Sequence, residues 1–194
     1  MIELSYVVYY LLIVNAISFF LTAINGALRK KSSFNIEVLL MICAFLGGSL
    51  GILISAIIFD RKIEKENILT RICAVCMLVI HTILILFMFV MPKGSLNFDI
   101  MGFLSGNMWL VIYLAVINAV TFAIFGIDKY NAIKQRDRIS IVTLILFSFL
   151  GGAVGGLIAM YLFRHKTQKS YFVVGVPLII LMQAAVVFLL MNII

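Results

Sequence analysis

The chain has 194 residues, of which 64% are hydrophobic and only 12% are charged, and its formal net charge is +7. A soluble domain of this length needs many more polar residues to cover its surface, so the composition excludes that class. Basic residues in so apolar a chain predict contacts with anionic lipid headgroups and control of membrane orientation, and we expect no nucleic-acid partner.

Six apolar segments follow one another along the chain, near residues 5–26, 36–59, 68–91, 107–127, 139–163 and 171–193. Each segment has about the 20 residues that a helix needs to cross the hydrocarbon core. The first segment has no basic region before it, so we expect a retained helix and not a cleaved signal peptide. The sequence therefore predicts an all-α, polytopic protein of the plasma membrane.

The two halves of the chain repeat one plan. Residues 15–19 match 118–122 at a shift of 103, and the glycine motif at 46–51 matches that at 150–155 at a shift of 104. Because the matches include Asn, paired Gly and loop charges in the same order, chance similarity of apolar stretches explains them poorly. We predict a first three-segment repeat at 1–91, a linker at 92–106 and a second repeat at 107–194.

Two membrane topologies remain open at this point. If all six segments span, the second repeat is inverted, as in many transporters, but the 15 basic residues then divide seven against eight between the faces. If segments 2 and 5 dip in and return at their glycines, fourteen share one face and only Lys93 lies opposite. Against this second topology, Gly47 with Gly51, and Gly151 with Gly155, have the spacing of continuous helices that pack closely on a neighbour.

The second half combines several short motifs, namely Asp128-Lys129, Arg138-Ile139-Ser140, Gly151-Gly152-x-x-Gly155 and Arg164-His165-Lys166-Thr167. In this combination the half resembles the DUF1294 family of bacterial membrane proteins, and the first half looks like a degenerate copy. Where the family has Glu after Arg-Ile-Ser, this half has Ile141, whereas the first half has Glu37 at the matching position. The resemblance implies one site divided between two fused units, and it implies no particular reaction.

Charged residues gather at the ends of the membrane segments in the second half. The predicted ligand site comprises Asp128, Lys129, Arg138, Arg164, His165, Lys166 and Lys169, with Glu37 from the first half. Arginine forks and ammonium groups suit the phosphate or carboxylate of a small anion or a lipid headgroup. The alternative is that these charges only anchor helix ends at the membrane surface.

Polar residues form a stripe on the first helix of each half, at Asn15, Ser18 and Thr22 and again at Asn118 and Thr121. Their spacing keeps them on one helix face. Such residues either hydrogen-bond to a neighbouring helix or line a wet path, here a polar seam between segments 1 and 4.

Soft side chains lie on one face of segment 3, at Cys73, Cys76, Met77 and His81. Such ligands suit Cu(I) or Zn(II), but cysteine and methionine also serve as ordinary apolar filling. We expect no metal and no cofactor.

Function is predicted from these features together. We expect a small transport or permeation protein for an anion or an anionic lipid headgroup. The alternative is an accessory or scaffold subunit whose glycine faces dock on another membrane protein or on a second copy. We expect no enzyme, since the nucleophile-elbow, phosphate-loop and metalloprotease motifs are missing, although acid–base work by His165 with Asp128 on a lipid phosphate stays open.

Overall fold

The computed structural model describes residues 4–28, 36–89 and 96–193. The chain divides into two compact units, Met1–Phe89 (unit 1) and Val90–Ile194 (unit 2). The described residues contain helices and no strand, which confirms the all-α prediction. Six helical segments are long and apolar enough to cross a membrane, which confirms the multi-pass class.

Each unit has a long first helix, a broken second segment and a long last helix. In unit 1 these are α1 (Leu4–Leu28), α2 (Glu37–Cys43), a π-helical turn (Ala44–Gly48), α3 (Ser49–Phe59) and α4 (Ile68–Phe89). In unit 2 the short helix α5 (Ile100–Gly106) precedes the long first helix, α6 (Met108–Ile133). The broken segment consists of α7 (Ile141–Phe147), a π-helical turn (Ser148–Gly152) and α8 (Ala153–Leu162), and the short α9 (Ser170–Val173) precedes the long last helix, α10 (Gly175–Ile193). The broken segments are named hairpin 1 (Glu37–Phe59) and hairpin 2 (Ile141–Leu162).

Two element boundaries differ from the sequence prediction. Helix α6 continues to Ile133, so Asp128 and Lys129 are helical and do not begin a loop. Residues 128–133 contain no Pro and no Gly, so nothing in them ends the helix before Lys134. The predicted linker contains helix α5, because the Asp99 side chain accepts a hydrogen bond from the Gly102 N–H and so caps the first turn.

Hairpin 2 reverses direction at Gly151. This residue has φ of 112°, in the left-handed region that glycine adopts at little cost. Asp128 Oδ1 accepts from the Ile139 N–H at 2.9 Å, just before α7, and Asp128 Oδ2 lies 2.6 Å from Lys166 Nζ, just after α8. A straight helix over the 22 residues of this segment would hold its ends about 33 Å apart. Both outer ends of hairpin 2 therefore meet beside α6.

Hairpin 1 reverses in the same way at Gly47, where φ is 100°. Leu40 of α2 and Ala56 of α3 line one cavity with Asn25 of α1, so the two arms return to the same part of α1. The arms α2 and α3, of 7 and 11 residues, are roughly 10–17 Å long, about half of the ~30 Å hydrocarbon core. Of the two topologies left open by the sequence, this geometry favours the re-entrant one.

The tip of each hairpin is hydrogen-bonded by the first helix of its own unit. In unit 1, Asn15 Nδ2 donates to the Gly47 carbonyl at 2.9 Å, and Asn15 Oδ1 accepts from the Gly51 N–H at 2.8 Å. The Tyr10 hydroxyl donates to the Leu46 carbonyl at 2.7 Å. Because unpaired backbone groups are costly in hydrocarbon, these bonds allow the chain to turn at membrane depth.

Unit 2 repeats these contacts. Asn118 Nδ2 donates to the Gly151 carbonyl at 2.9 Å, and Asn118 Oδ1 accepts from the Gly155 N–H at 2.6 Å. The Tyr113 hydroxyl donates to the Leu150 carbonyl at 2.5 Å. The two Asn residues of the predicted polar seam thus bind hairpin backbone inside their own units.

Small residues let the hairpins approach the first helices closely. A Cβ at Gly51 or Gly155 would overlap a backbone carbonyl of the first helix, whereas Gly47 and Gly151 lie at the turns. The remaining polar-stripe residues also face the hairpins or the adjoining cavity: Ser18 lies against Gly48, Thr121 lies against Gly152, and Thr22 lines the cavity of unit 1. The stripe is a packing feature of each unit, and a path between segments 1 and 4 stays a prediction.

Candidate functional site

Asp128 is the centre of the charged cluster in unit 2. Its side chain is fully buried on α6. One carboxylate oxygen accepts from the Ile139 N–H, and the other lies 2.8 Å from His165 Nε2 and 2.6 Å from Lys166 Nζ. Three of the motifs singled out in the sequence therefore meet on one carboxylate.

The turn after α8 carries His165 and Lys166 to this carboxylate. Arg164 and Lys166 have φ values of 45° and 62°, a left-handed conformation that is uncommon outside glycine. The His165 N–H donates to the Met160 carbonyl at 2.9 Å, which satisfies a free carbonyl at the end of α8. A tight turn therefore follows hairpin 2, and its His165 and Lys166 side chains bind Asp128 on α6.

The Lys166 side chain is partly buried beside Asp128. Its Nζ atom is 5.0 Å from the centre of the Phe172 ring, within cation–π distance. Burial lowers the pKa of Lys166, and the Asp128 carboxylate opposes that shift. The charge of Arg138 adds to the lowering of the Lys166 pKa.

The other cations of the predicted set are close in sequence to the residues that contact Asp128. Lys129 follows Asp128 on α6, Arg138 precedes Ile139, Arg164 precedes His165, and the Lys169 N–H donates to the Lys166 carbonyl. Arg138, Arg164 and Lys169 are exposed, and no salt bridge between described residues engages them. The seven predicted residues of unit 2 thus lie at one end of the unit, in an inner layer of Asp128, His165 and Lys166 and an outer layer that contains the exposed cations. Lys166 forms an ion pair with the buried Asp128 and His165 bonds to the same carboxylate oxygen, while Arg138, Arg164 and Lys169 lie outside this pair at exposed positions.

Glu37, the eighth predicted site residue, begins α2 in unit 1 and is half-buried. The structure describes the two units separately, so its grouping with the cations of unit 2 stays a prediction.

Unit 1 closes its hairpin with a different charge pair, which the sequence analysis missed. Asp60, at the end of hairpin 1, accepts from Asn67 Nδ2 at 2.8 Å and lies 3.8 Å from a guanidinium nitrogen of Arg71 on α4. Arg71 also donates to the Asp60 carbonyl. In unit 1 the carboxylate lies at the end of the hairpin, whereas in unit 2 it lies on the first long helix. The available signal was that Asp60 occupies the place of Arg164, which reverses a charge between the halves.

The soft side chains of α4 do not form a metal site in the part of the chain that the structure describes. Cys73 and Cys76 are buried, and His81 Nδ1 donates to the Met77 carbonyl at 2.7 Å, one turn earlier. Among the described residues, no three His, Cys, Asp or Glu side chains gather closely enough to bind a metal ion.

Comparisons with known proteins point to this same half. The family model described as "Protein of unknown function (DUF1294)" matches residues 118–172, which run from the Asn that binds the hairpin tip to the ring beside Lys166. The uncharacterized protein YsdA of Bacillus subtilis (strain 168) is 39% identical over 80 residues, which are 41% of this chain and 90% of the relative. No solved structure matches the chain.

Proposed function

This chain belongs to the DUF1294 family, and we propose that it is a small transport or permeation protein of the plasma membrane. Its substrate in this proposal is an anion or an anionic lipid headgroup, bound at the charged end of unit 2. The observation that carries the proposal is the double layer of charge around Asp128, with exposed cations outside a neutralised interior pair.

The buried pair supports a binding role because it fixes the exposed cations in place. Asp128 binds the backbone N–H of the residue after Arg138 and the side chain of the residue after Arg164, so it holds both arginine-bearing segments beside α6. Arginine side chains bind phosphate and carboxylate through two parallel hydrogen bonds. With Asp128 already paired to Lys166, little negative charge remains to repel an anion.

The fold supports a transport role by a separate argument. Backbone that breaks its helical pattern at membrane depth is tolerated only where protein covers it or where it lines a water-filled cavity, and channels and transporters use such segments. Both hairpins break in this way, at Gly47 and Gly151. In this proposal hairpin 2 carries the binding site at its outer ends.

The proposal is tested with purified protein in liposomes and two probes. One probe is efflux of radiolabelled inorganic phosphate, and the other is transfer of fluorescent phosphatidylglycerol between leaflets. We expect one of the two to exceed the protein-free rate, and the responding probe identifies a free anion or a headgroup as the substrate. The variant Arg138→Gln/Arg164→Gln/Lys169→Gln should lower that rate by roughly tenfold or more, because charged hydrogen bonds contribute about 1.5–3 kcal/mol each.

The matched control is Arg61→Gln/Lys62→Gln/Lys65→Gln, which removes the same charge from exposed positions of unit 1. This control should keep most of the activity. Equal loss in both variants would show that only net charge matters and would contradict a site in unit 2. Liposomes silent to both probes, with a membrane protein that co-purifies with this chain, would support the scaffold alternative instead.

A further inference from the structure

Unit 1 contains a polar cavity at the place where unit 2 is filled by aromatic rings. Its polar lining consists of Thr22, Asn25, Asp60, Asn67, Thr70 and Arg71, and side chains of hairpin 1 complete it. Its volume is about 10 Å³, which is close to the least that holds one water molecule. These polar groups lie beside Leu40, Ile52 and Ala56, so the lining is mixed and differs from that of a wholly apolar void, which stays dry.

The cavity exists because unit 1 has small or polar residues where unit 2 has larger ones. Thr22 and Ile68 take the places of Phe125 and Phe172, whose fully buried rings pack edge-on with centres 5.7 Å apart. Asn25 takes the place of Asp128, so the carboxylate that binds Lys166 in unit 2 is replaced by a neutral amide. The space beside the first helix is thereby left open.

Thr70 supplies an independent sign that the cavity is occupied. It is only 4% exposed, it lines the cavity, and its hydroxyl has no hydrogen-bond partner among the residues that the structure describes. A buried hydroxyl without a partner is costly, and most such groups in proteins are satisfied by protein or by ordered water. Asn25 is 5% exposed and lines the same space, and no hydrogen bond joins its amide to another described residue.

We propose that this cavity is a binding site for a single water molecule, which bridges the Thr70 hydroxyl, the Asn25 amide and the Asp60 carboxylate. The amide and the hydroxyl can each donate or accept, and the carboxylate accepts, so the water finds the two to four partners that a buried water needs. The nearby charges of Asp60 and Arg71 are paired with each other, so water fits this site better than an ion. The site is independent of the anion site proposed for unit 2.

The first test compares the melting temperatures of two variants in detergent. Thr70→Val keeps the shape of the side chain and removes the hydroxyl. If the water is present, the variant loses one of its bonds and should melt roughly 2–4 °C lower. If the cavity is dry, the variant removes an unsatisfied group and should melt at the same or a higher temperature. Ser55→Ala is the matched control, because Ser55 is also buried without a partner but does not line the cavity, and it should not lower the melting temperature.

The second test detects the water directly. Water-edited solid-state NMR of the full chain in lipid, with ¹⁵N-labelled asparagine, should show magnetisation transfer from water to the Asn25 side-chain amide. Assignment uses Asn25→Ala, and Thr70→Val should weaken this transfer. No transfer to Asn25 in the unmodified chain would overturn the proposal whatever the melting temperatures. A melting temperature that rises with sodium at constant ionic strength would also overturn it, because the occupant would then be a cation.

Discussion

At the scale of single residues, Asp128 determines how the charged end of unit 2 is built. A fully buried carboxylate is stable only when it is paired and hydrogen-bonded. The Asp128 carboxylate is bonded by the His165 and Lys166 side chains and by the Ile139 backbone N–H. The same contacts join α6 to both ends of hairpin 2. Stability and site geometry therefore depend on one side chain.

We expect Asp128→Asn to destabilise the protein by about 3–5 kcal/mol, because it leaves the partly buried Lys166 without its counter-charge. The measurement is the free energy of unfolding in a denaturant titration. Adding Lys166→Met to this variant should recover part of the loss, since the unpaired charge is then gone. Asp137→Asn, at an exposed neighbouring position, should change stability by less than about 0.5 kcal/mol. Full additivity of the two changes would show that Asp128 and Lys166 do not interact.

The sequence predicted the members of this cluster but not its pairing. The motifs grouped Asp128 with His165 and Lys166. They also predicted that Lys166 binds an anion as the exposed arginines do, whereas Lys166 pairs with Asp128. The division into two layers depends on the left-handed backbone of Arg164 and Lys166. Neither residue type favours that conformation, so no local pattern signals it.

At the scale of elements, glycine spacing in the hairpins has two meanings that the sequence cannot separate. A small residue at every fourth position suits close helix packing, and a glycine at the centre of an apolar segment suits a turn. In hairpin 2 both occur together, since Gly151 makes the turn and Gly155 makes the close contact. The long-range bonds of Asn118 reveal this, and they depend on the fold and not on local propensity.

We expect Gly155→Ala to cost about 1–3 kcal/mol, because the added methyl group meets the backbone carbonyl of Asn118, which cannot rotate away. The shift of α8 should also weaken the hydrogen bond from the Gly155 N–H to Asn118 Oδ1. Thermal melting in detergent measures the effect. Gly106→Ala is the matched control, since no atom of the described part of the chain lies within 4 Å of a methyl group there. Equal melting temperatures for the two variants would mean that α8 does not pack closely on α6.

At the scale of the whole molecule, the re-entrant hairpins change the number of membrane crossings. The sequence predicted six apolar segments, and six helical segments have the required length and composition. Length and composition give the number of apolar segments without showing whether one turns back, and the two other guides disagreed, since the basic residues favoured a re-entrant segment and the glycine spacing favoured a continuous helix. With hairpin 2 folded back, we therefore predict that unit 2 crosses twice, with the residues that precede and follow hairpin 2 on one side of the membrane.

This topology is tested by single cysteines in a chain whose three native cysteines are replaced by alanine. Asp137→Cys and Gln168→Cys place thiols at exposed positions before and after hairpin 2, and Ser105→Cys places one before α6, at the opposite end of that helix. By the positive-inside rule, an impermeant thiol reagent should label only Ser105→Cys in intact cells and all three after permeabilisation. A spanning hairpin 2 predicts instead that Gln168→Cys behaves like Ser105→Cys. That result would place Arg138 and Arg164 on opposite faces, and a single anion site at the end of unit 2 would then be impossible.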